Sequence, residues 1–278
     1  IEAIKATNAM LARGITLRRA VESFSDDGRP FGAGTVILPP DPAIADELAG
    51  QWGLVVSVLT DLPDGTVVMR KQKIAAYGDE GVAHCLKTLG FDFDQVTLND
   101  LNTGVIANYD VFLNYGLNWA SLNRKGKESM ADWLAAGGDF VGLGYGGQAV
   151  DFALEADLID VVYHSISGNA IVKVDFNRDN ALAAGFSEED YAFFNQSVWF
   201  EESVGDARVA ARLDSGDFFV SGYWPDWAAS GAAGMPVIIH KSNGDFQDTA
   251  LIGFDPTFRG HPENTFRVVA NAIFNGLE

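Results

Sequence analysis

The chain reads as an α/β protein on a doubly wound, mostly parallel sheet, with a strand-rich C-terminal half and a small α/β subdomain in front. Three observations carry that expectation. Strand-like and helix-like stretches alternate between residues 73 and 143, which calls for crossover connections and hence parallel strands. From residue 159 the pattern changes to closely spaced strands. Before residue 70, a series of short elements is punctuated by the breaker cluster Pro39-Pro40-Asp41-Pro42. The boundary is placed there, giving units over residues 1–70 and 71–278.

The first unit opens with a helix over residues 2–12, where Ile4, Thr7, Asn8 and Leu11 share one side. A strand is expected over 16–24, then a turn at Asp26-Asp27-Gly28-Arg29-Pro30 and a strand over 34–38. Pro42 suits the first turn of a helix running over 43–52. A strand over 55–59 closes the unit ahead of the loop Asp61-Leu62-Pro63-Asp64-Gly65. Beyond it, strands are expected at 73–77, 95–98, 111–115 and 140–143, with helices at 79–89, 99–103, 122–136 and 148–158. The C-terminal half offers strands at 159–164, 170–176, 198–200, 208–213, 218–220 and 237–240. There the turn Ser242-Asn243-Gly244-Asp245 favours a hairpin into a strand over 249–254. A last helix begins near Pro262, carries the stripe Phe266, Val269, Ala270, Ile273 and Phe274, and has Gly276 past its end.

Composition removes several function classes. With 19 Lys and Arg against 38 Asp and Glu, the net charge is −19, which repels phosphate backbones and anionic lipid. Neither nucleic acid nor a membrane surface is an expected partner. No stretch approaches the roughly 18 apolar residues of a membrane helix. The single cysteine, Cys85, shares a helical face with Val82, Leu86 and Leu89 and reads as a packed apolar residue. The four histidines, His84, His164, His240 and His261, include no pair at helical zinc spacing. No Gly-Lys-Ser/Thr follows the glycine-rich segment, so neither a metal nor a cofactor is expected. The chain opens on Ile1 inside a helix-like stretch and reads as a piece of something longer.

Three loops lie at the C-terminal ends of the expected parallel strands, where such folds bind ligands. They are Gly78-Asp79-Glu80, Asn114-Tyr115-Gly116-Leu117-Asn118-Trp119 and the run Phe140-Val141-Gly142-Leu143-Gly144-Tyr145-Gly146-Gly147-Gln148. The last has the strand-turn-helix setting in which hydrolases and amidotransferases mount a Ser or Cys nucleophile. Its apex is Gly144, which has no side chain. Two uses remain for the turn. Backbone N–H groups over 144–147 would hold an anion or a carbonyl oxygen, or the glycines serve only a tight bend.

Gly142-Leu143-Gly144-Tyr145-Gly146-Gly147-Gln148 resembles the Gly-x-Cys-x-Gly-x-Gln elbow of class I glutamine amidotransferases, a flavodoxin-like fold, with Gly144 in the cysteine's place. The run Gly253-Phe254-Asp255-Pro256-Thr257-Phe258-Arg259-Gly260-His261-Pro262-Glu263 looks like the strand ending in His-Pro-Glu that supplies the other two triad members. His261 and Glu263 are thus vestigial catalytic candidates, and a base without a nucleophile cannot act. A closer match rests on Asn8-Ala9-Met10-Leu11-Ala12-Arg13-Gly14, Pro30-Phe31-Gly32-Ala33-Gly34-Thr35-Val36-Ile37, the same Gly253-to-Gly260 run and Thr265-Phe266-Arg267-Val268-Val269-Ala270-Asn271-Ala272-Ile273. These resemble the C-terminal region of bacterial zinc carboxypeptidase-family proteins. The resemblance implies a secreted or periplasmic parent, an N-terminal metallopeptidase domain as partner, and an amidotransferase-like domain without a working triad. Its zinc motif, His-x-x-Glu, is absent here.

The remaining candidates are binding residues. Tyr115 and Trp119 follow one strand, Tyr145 and Gly146 flank the elbow, and Tyr223, Trp224 and Trp227 lie in what reads as a loop. Loop aromatics suit sugar stacking or a protein contact, and equally a lid folded over the sheet edge. Arg259 reads as a partner for a carboxylate of a ligand, or for Glu263 or Asp255. Ser165 and Ser167 lack a Gly-x-Ser-x-Gly elbow and read as turn residues. The expected function is a non-catalytic accessory or interaction domain that takes a peptide, a glycan or the peptidase domain. The alternatives are a hydrolase with an atypical nucleophile and a carbohydrate-binding module.

Overall fold

The computed structural model describes residues 1–202, 204–242 and 248–275. Helix α1 (Glu2–Ala12) buries Ala6, Thr7, Met10 and Leu11, with Ile4 and Asn8 at the margin of that face rather than at its centre. The strand expected over 16–24 is broken in two. Strand β1 (Arg18–Ala20) ends early, and β2 (Phe24–Asp26) forms a separate hairpin with β3 (Arg29–Phe31), where Phe24 stacks on Phe31 at 4.9 Å. Strand β4 (Val36–Ile37) pairs with one edge of β1. Helix α2 (Pro42–Trp52) starts under the Asp41 side chain, which accepts from the Ala43 N–H, and stops at left-handed Gly53. No strand forms over 55–59. Val55 and Val58 are almost fully exposed there, so the apolar run has no face to bury and no partner to pair with. Strand β5 (Thr66–Val68) covers the other edge of β1 instead, in the register Ala20 to Thr66.

The alternation beyond residue 70 is as expected. Strand β6 (Ile74–Tyr77) leads to α3 (Glu80–Thr88), whose Asp79 cap accepts from the N–H groups of Gly81 and Val82. Then come β7 (Phe93–Gln95), α4 (Leu98–Thr103), β8 (Val111–Asn114), α5 (Arg124–Ala135), β9 (Asp139–Leu143) and α6 (Gln148–Glu155). All of β8 and β9 is buried, which is why they read as unbroken apolar runs. Cys85 packs under α3 with no exposure, and burial pushes its thiol well up.

The C-terminal half supplies β10 (Tyr163–Ser165), β11 (Asn169–Phe176), β12 (Glu189–Phe194), β13 (Val198–Phe200), β14 (Arg208–Leu213), β15 (Phe219–Tyr223), α7 (Asp226–Ala232), β16 (Pro236–Ser242), β17 (Asp248–Ile252) and α8 (Phe266–Ile273). Strand β12 escapes the sequence reading because Glu188, Glu189 and Asp190 look like loop residues. Ala192 and Phe194 nevertheless point into the core. Residues 221–227 are not a loop: Tyr223 ends β15, and Pro225 opens α7, which contains Trp227. The hairpin joining β16 and β17 forms as expected. Its turn over 243–245 and the cap at Gly276 lie outside the described residues.

One mixed sheet of ten strands organises the molecule. The order β7-β6-β8-β9-β17 is parallel throughout, and β16, β14 and β11 continue it antiparallel. Both β12 and β15 pair with β11. The α/β, doubly wound expectation holds for the first wing and the strand-rich one for the second. Met10, Leu17, Ile44 and Leu48 of the first 70 residues join a core with Leu86, Val269 and Phe274. On the other face, Phe112, Phe140 and Phe152 pack with Trp133. Among the described residues no helix is long and apolar enough to cross a membrane.

Candidate functional site

The reversal of strand order between β6 and β8 marks their C-terminal ends as the edge where such folds bind ligands. Side chains from three later loops converge there. The Tyr115 hydroxyl donates to Asp255 Oδ2 at 2.8 Å, and the Tyr115 and Tyr145 rings lie 5.0 Å apart. Asp255 is fully buried. Its Oδ1 accepts from the Thr257 N–H at 3.0 Å and the Thr257 hydroxyl at 3.2 Å. Burial pushes the Asp255 carboxyl up, against the pull of these three donors, and burial with the nearby Asp255 charge pushes the Tyr115 phenol up. The network is closed on itself: every donor named here is spent on Asp255.

The elbow beside it has no room for a nucleophile. A Cβ on Gly144 would sit 2.1 Å from the Gly253 carbonyl oxygen and 2.7 Å from that of Ile252. Gly253 is fixed in turn by main-chain bonds: its N–H donates to Val237 and its carbonyl accepts from the Val198 N–H, both at 2.7 Å. A Cβ on Gly253 would meet the Val198 carbonyl oxygen at 2.4 Å. Main chain from the ends of β9, β13, β16 and β17 therefore fills the corner. Sequence reasoning identified the missing side chain at Gly144 but not the second glycine that closes the space.

Half of the donors expected for an anion hole over residues 144–147 are already used. The Tyr145 N–H donates to the Leu143 carbonyl at 2.8 Å and the Gly146 N–H to Gln196 at 2.6 Å, so two of the four donors are occupied. Gly146 and Gly147 have positive φ of 62° and 85°, which accounts for glycine at both. Gln148 Oε1 is buried beside this turn without a partner.

The two residues expected as triad members are at the surface. His261 and Glu263 are exposed, and neither side chain makes a hydrogen bond among the described residues. Among those residues no serine or cysteine lies within hydrogen-bond reach of a histidine. The nearest hydroxyl contact, Thr88 to His84 at 3.5 Å, joins successive turns of α3. Arg259 forms no ion pair with Glu263 or Asp255. Its guanidinium lies over the Phe258 ring at 5.0 Å, on a left-handed backbone at φ 51°.

The aromatic candidates separate. Trp224 is a core residue, packed on Phe218, Phe194 and Trp199 with centroids 4.9, 5.6 and 6.0 Å away. Trp119 is half-buried against Phe152 at 5.1 Å, with Lys127 Nζ 5.8 Å from its ring centroid, and packs against a different core cluster from Tyr115. Tyr223 is 61% exposed and Trp227 73% exposed. On the antiparallel wing, Asp175, Glu189 and Asp214 bring carboxylate oxygens within 4.8 Å of one another, a grouping not visible from their spacing in the chain. Burial and the neighbouring carboxylates push Asp175 up.

No protein-family model and no curated protein matches the sequence. Among solved structures, the cytoplasmic protein STM1381 from Salmonella typhimurium is 11% identical, covering 74% of this chain and 100% of its own, with a TM-score of 0.51. A protein described as ThuA-like from Bacteroides uniformis is 14% identical over 78% of this chain and 94% of its own, at 0.47. A GMP synthase-like protein from Thermoplasma acidophilum is 17% identical over 74% of this chain and 96% of its own, at 0.46. These likenesses are of fold alone. With the strand order above, the chain has an α/β fold of flavodoxin-like topology.

Proposed function

We propose that this chain is a non-catalytic accessory domain, built on an amidotransferase-like scaffold that carries no nucleophile. The observation that supports the reading most is the corner at Gly144, where the Gly253 carbonyl occupies the space a side chain would need. The exposure of His261 and Glu263, neither with a side-chain hydrogen bond among the described residues, supports it further. Covalent acyl transfer needs a nucleophile and a base within about 3.2 Å, with donors facing the developing oxyanion. The partner in this reading is an N-terminal metallopeptidase domain of a secreted or periplasmic, zinc carboxypeptidase-like parent. That part rests on the sequence resemblance over residues 8–14, 30–37, 253–260 and 265–273. The test is glutaminase and peptidase assay of the purified chain. The expected result is no turnover above the uncatalysed rate; turnover that is lost in His261→Ala would contradict the reading.

A carbohydrate-binding role is the second reading, favoured by one observation. Trp227 and Tyr223 each present most of their ring to solvent, within four residues of one another in the chain, and exposed aromatic faces are what sugar stacking uses. Glycan binding abolished by Trp227→Ala would support it, and binding unchanged in that variant would remove it.

A further inference from the structure

A cleft of about 1010 Å³ lies at the opposite edge of the sheet, where the parallel strands begin. Its lining includes Arg19 from β1, Asn180, Arg208 from β14 and His240 from β16, together with four aspartates, Asp110, Asp139, Asp179 and Asp248. Arg19 is 3% exposed, and no carboxylate approaches it among the described residues. Its guanidinium donates instead to neutral acceptors, the carbonyls of Ala181 at 2.8 Å and Asn271 at 3.2 Å and the Asn271 side chain at 3.4 Å. Burial lowers its pKa only to about 10, so the charge persists at neutral pH. In a chain of net charge −19, a buried cation without a counter-ion is unexpected, because such a charge is normally paired.

The tautomer of His240 can be deduced. Asn180 Oδ1 accepts from the Leu182 N–H at 3.0 Å, so its amide nitrogen must face the imidazole. That nitrogen donates to His240 Nε2 at 2.8 Å. Nε2 is therefore the acceptor of a neutral ring, and the proton sits on Nδ1, which is buried with no partner. Burial, then the charges of Arg208 and Arg19, hold the ring neutral, and among the described residues no carboxylate counts among the charges acting on it. Arg208 is exposed and makes no ion pair among the described residues.

We propose that Arg19, Arg208 and the His240 Nδ1–H form a binding site for an oxyanion, the carboxylate or phosphate group of a small molecule. The ligand oxygens pair with Arg208, the exposed member of the group, and their charge offsets both guanidinium groups and acts on the orphaned imidazole N–H behind them. Asn180 acts as a positioning residue, since its bond to Nε2 forces the proton onto Nδ1. The site is independent of the Gly144 corner and of any reading of it.

The experiment is titration of the full chain with inorganic phosphate and, in a parallel arm, with acetate, at ionic strength held constant with chloride. The readouts are the 15N-edited imidazole signal of His240 and the thermal midpoint. The expected result is a saturable shift of the Nδ1–H signal and a rising midpoint with one or both oxyanions, at least tenfold weaker in Arg208→Gln. Phosphate alone, or acetate alone, identifies which oxyanion the site prefers. Arg208 is at the surface, so this variant retains the fold; Asn180→Asp, by contrast, removes the donor to Nε2 and abolishes the response. A His240 signal that moves equally with chloride, that does not move, or that moves equally in Arg208→Gln overturns the proposal.

Discussion

The two edges of the parallel sheet differ in how their polar groups are matched. At the C-terminal edge, where folds of this type place their ligands, Tyr115, Thr257 and Asp255 bond to one another, and main chain fills the space over Gly144. At the N-terminal edge the cleft is open, Arg19 has no counter-ion among the described residues, and His240 Nδ1 has no hydrogen-bond partner there. Topology therefore nominates one edge and unmatched electrostatics the other. A strand reversal provides a crevice, but binding also requires donors or charges that the fold itself has not used.

The largest effect that would sharpen this contrast is at the filled corner. Gly144→Ala forces a methyl into the Gly253 carbonyl, and overpacking of backbone against backbone is expected to cost about 3 kcal/mol or more. Urea unfolding would show it, and Gly146→Ala, where the added Cβ meets nothing closer than 3.7 Å, should cost only about 1–2 kcal/mol through its positive φ. Equal effects at the two glycines would break the account of the corner.

A smaller effect, read through pH, belongs to the open edge. Burial pushes the Asp139 carboxyl up to about 7, aided by Asp248 and Asp110 and opposed by the bond from the Asp248 N–H. Between its unfolded value near 3.8 and about 7, the folded state holds a proton that the unfolded chain has released. Its contribution to stability is whole below that window and is lost as pH rises through it. Asp139→Asn lacks this titration, so its stability relative to the parent should climb by a few kcal/mol from pH 4 to pH 8. A constant difference across that range would show that Asp139 is not held protonated.

At the C-terminal edge again, Tyr115→Phe removes one of three donors to Asp255 and should destabilise by about 1–2 kcal/mol. It should leave binding at the Arg208 edge untouched. The smallest change is Arg208→Gln, expected within about 0.5 kcal/mol in stability because the side chain is exposed.

Much of the scaffold was legible in the sequence for physical reasons. Strands β8 and β9 are buried on both faces and read as continuous apolar runs, and Asp79 and Asp41 announce the helices they cap. Residues 55–59 misled because β-branched composition says nothing about whether a partner strand is present. Trp224 and Trp227 are three positions apart in one aromatic run, yet one packs in the core and the other faces solvent; only the start of α7 at Asp226 separates them. At the candidate site, glycine at position 144 was visible and its meaning partly so. The carbonyl that occupies the corner comes from a distant strand, and no local pattern marks Gly253 as its source. The convergence of Arg19, Asn180, Arg208 and His240 was illegible for the same reason: four residues on separate elements share no spacing rule.

The claim on which the rest depends is that the elbow cannot present a nucleophile. Its most direct test is mass spectrometry of Gly144→Cys after exposure to a glutamine-analogue electrophile under native conditions. Cys85 is buried and inert in the folded chain, so it contributes no background. The account predicts a destabilised protein whose folded fraction carries no adduct at position 144. A variant with the parent's thermal midpoint and stoichiometric labelling at that position would contradict it.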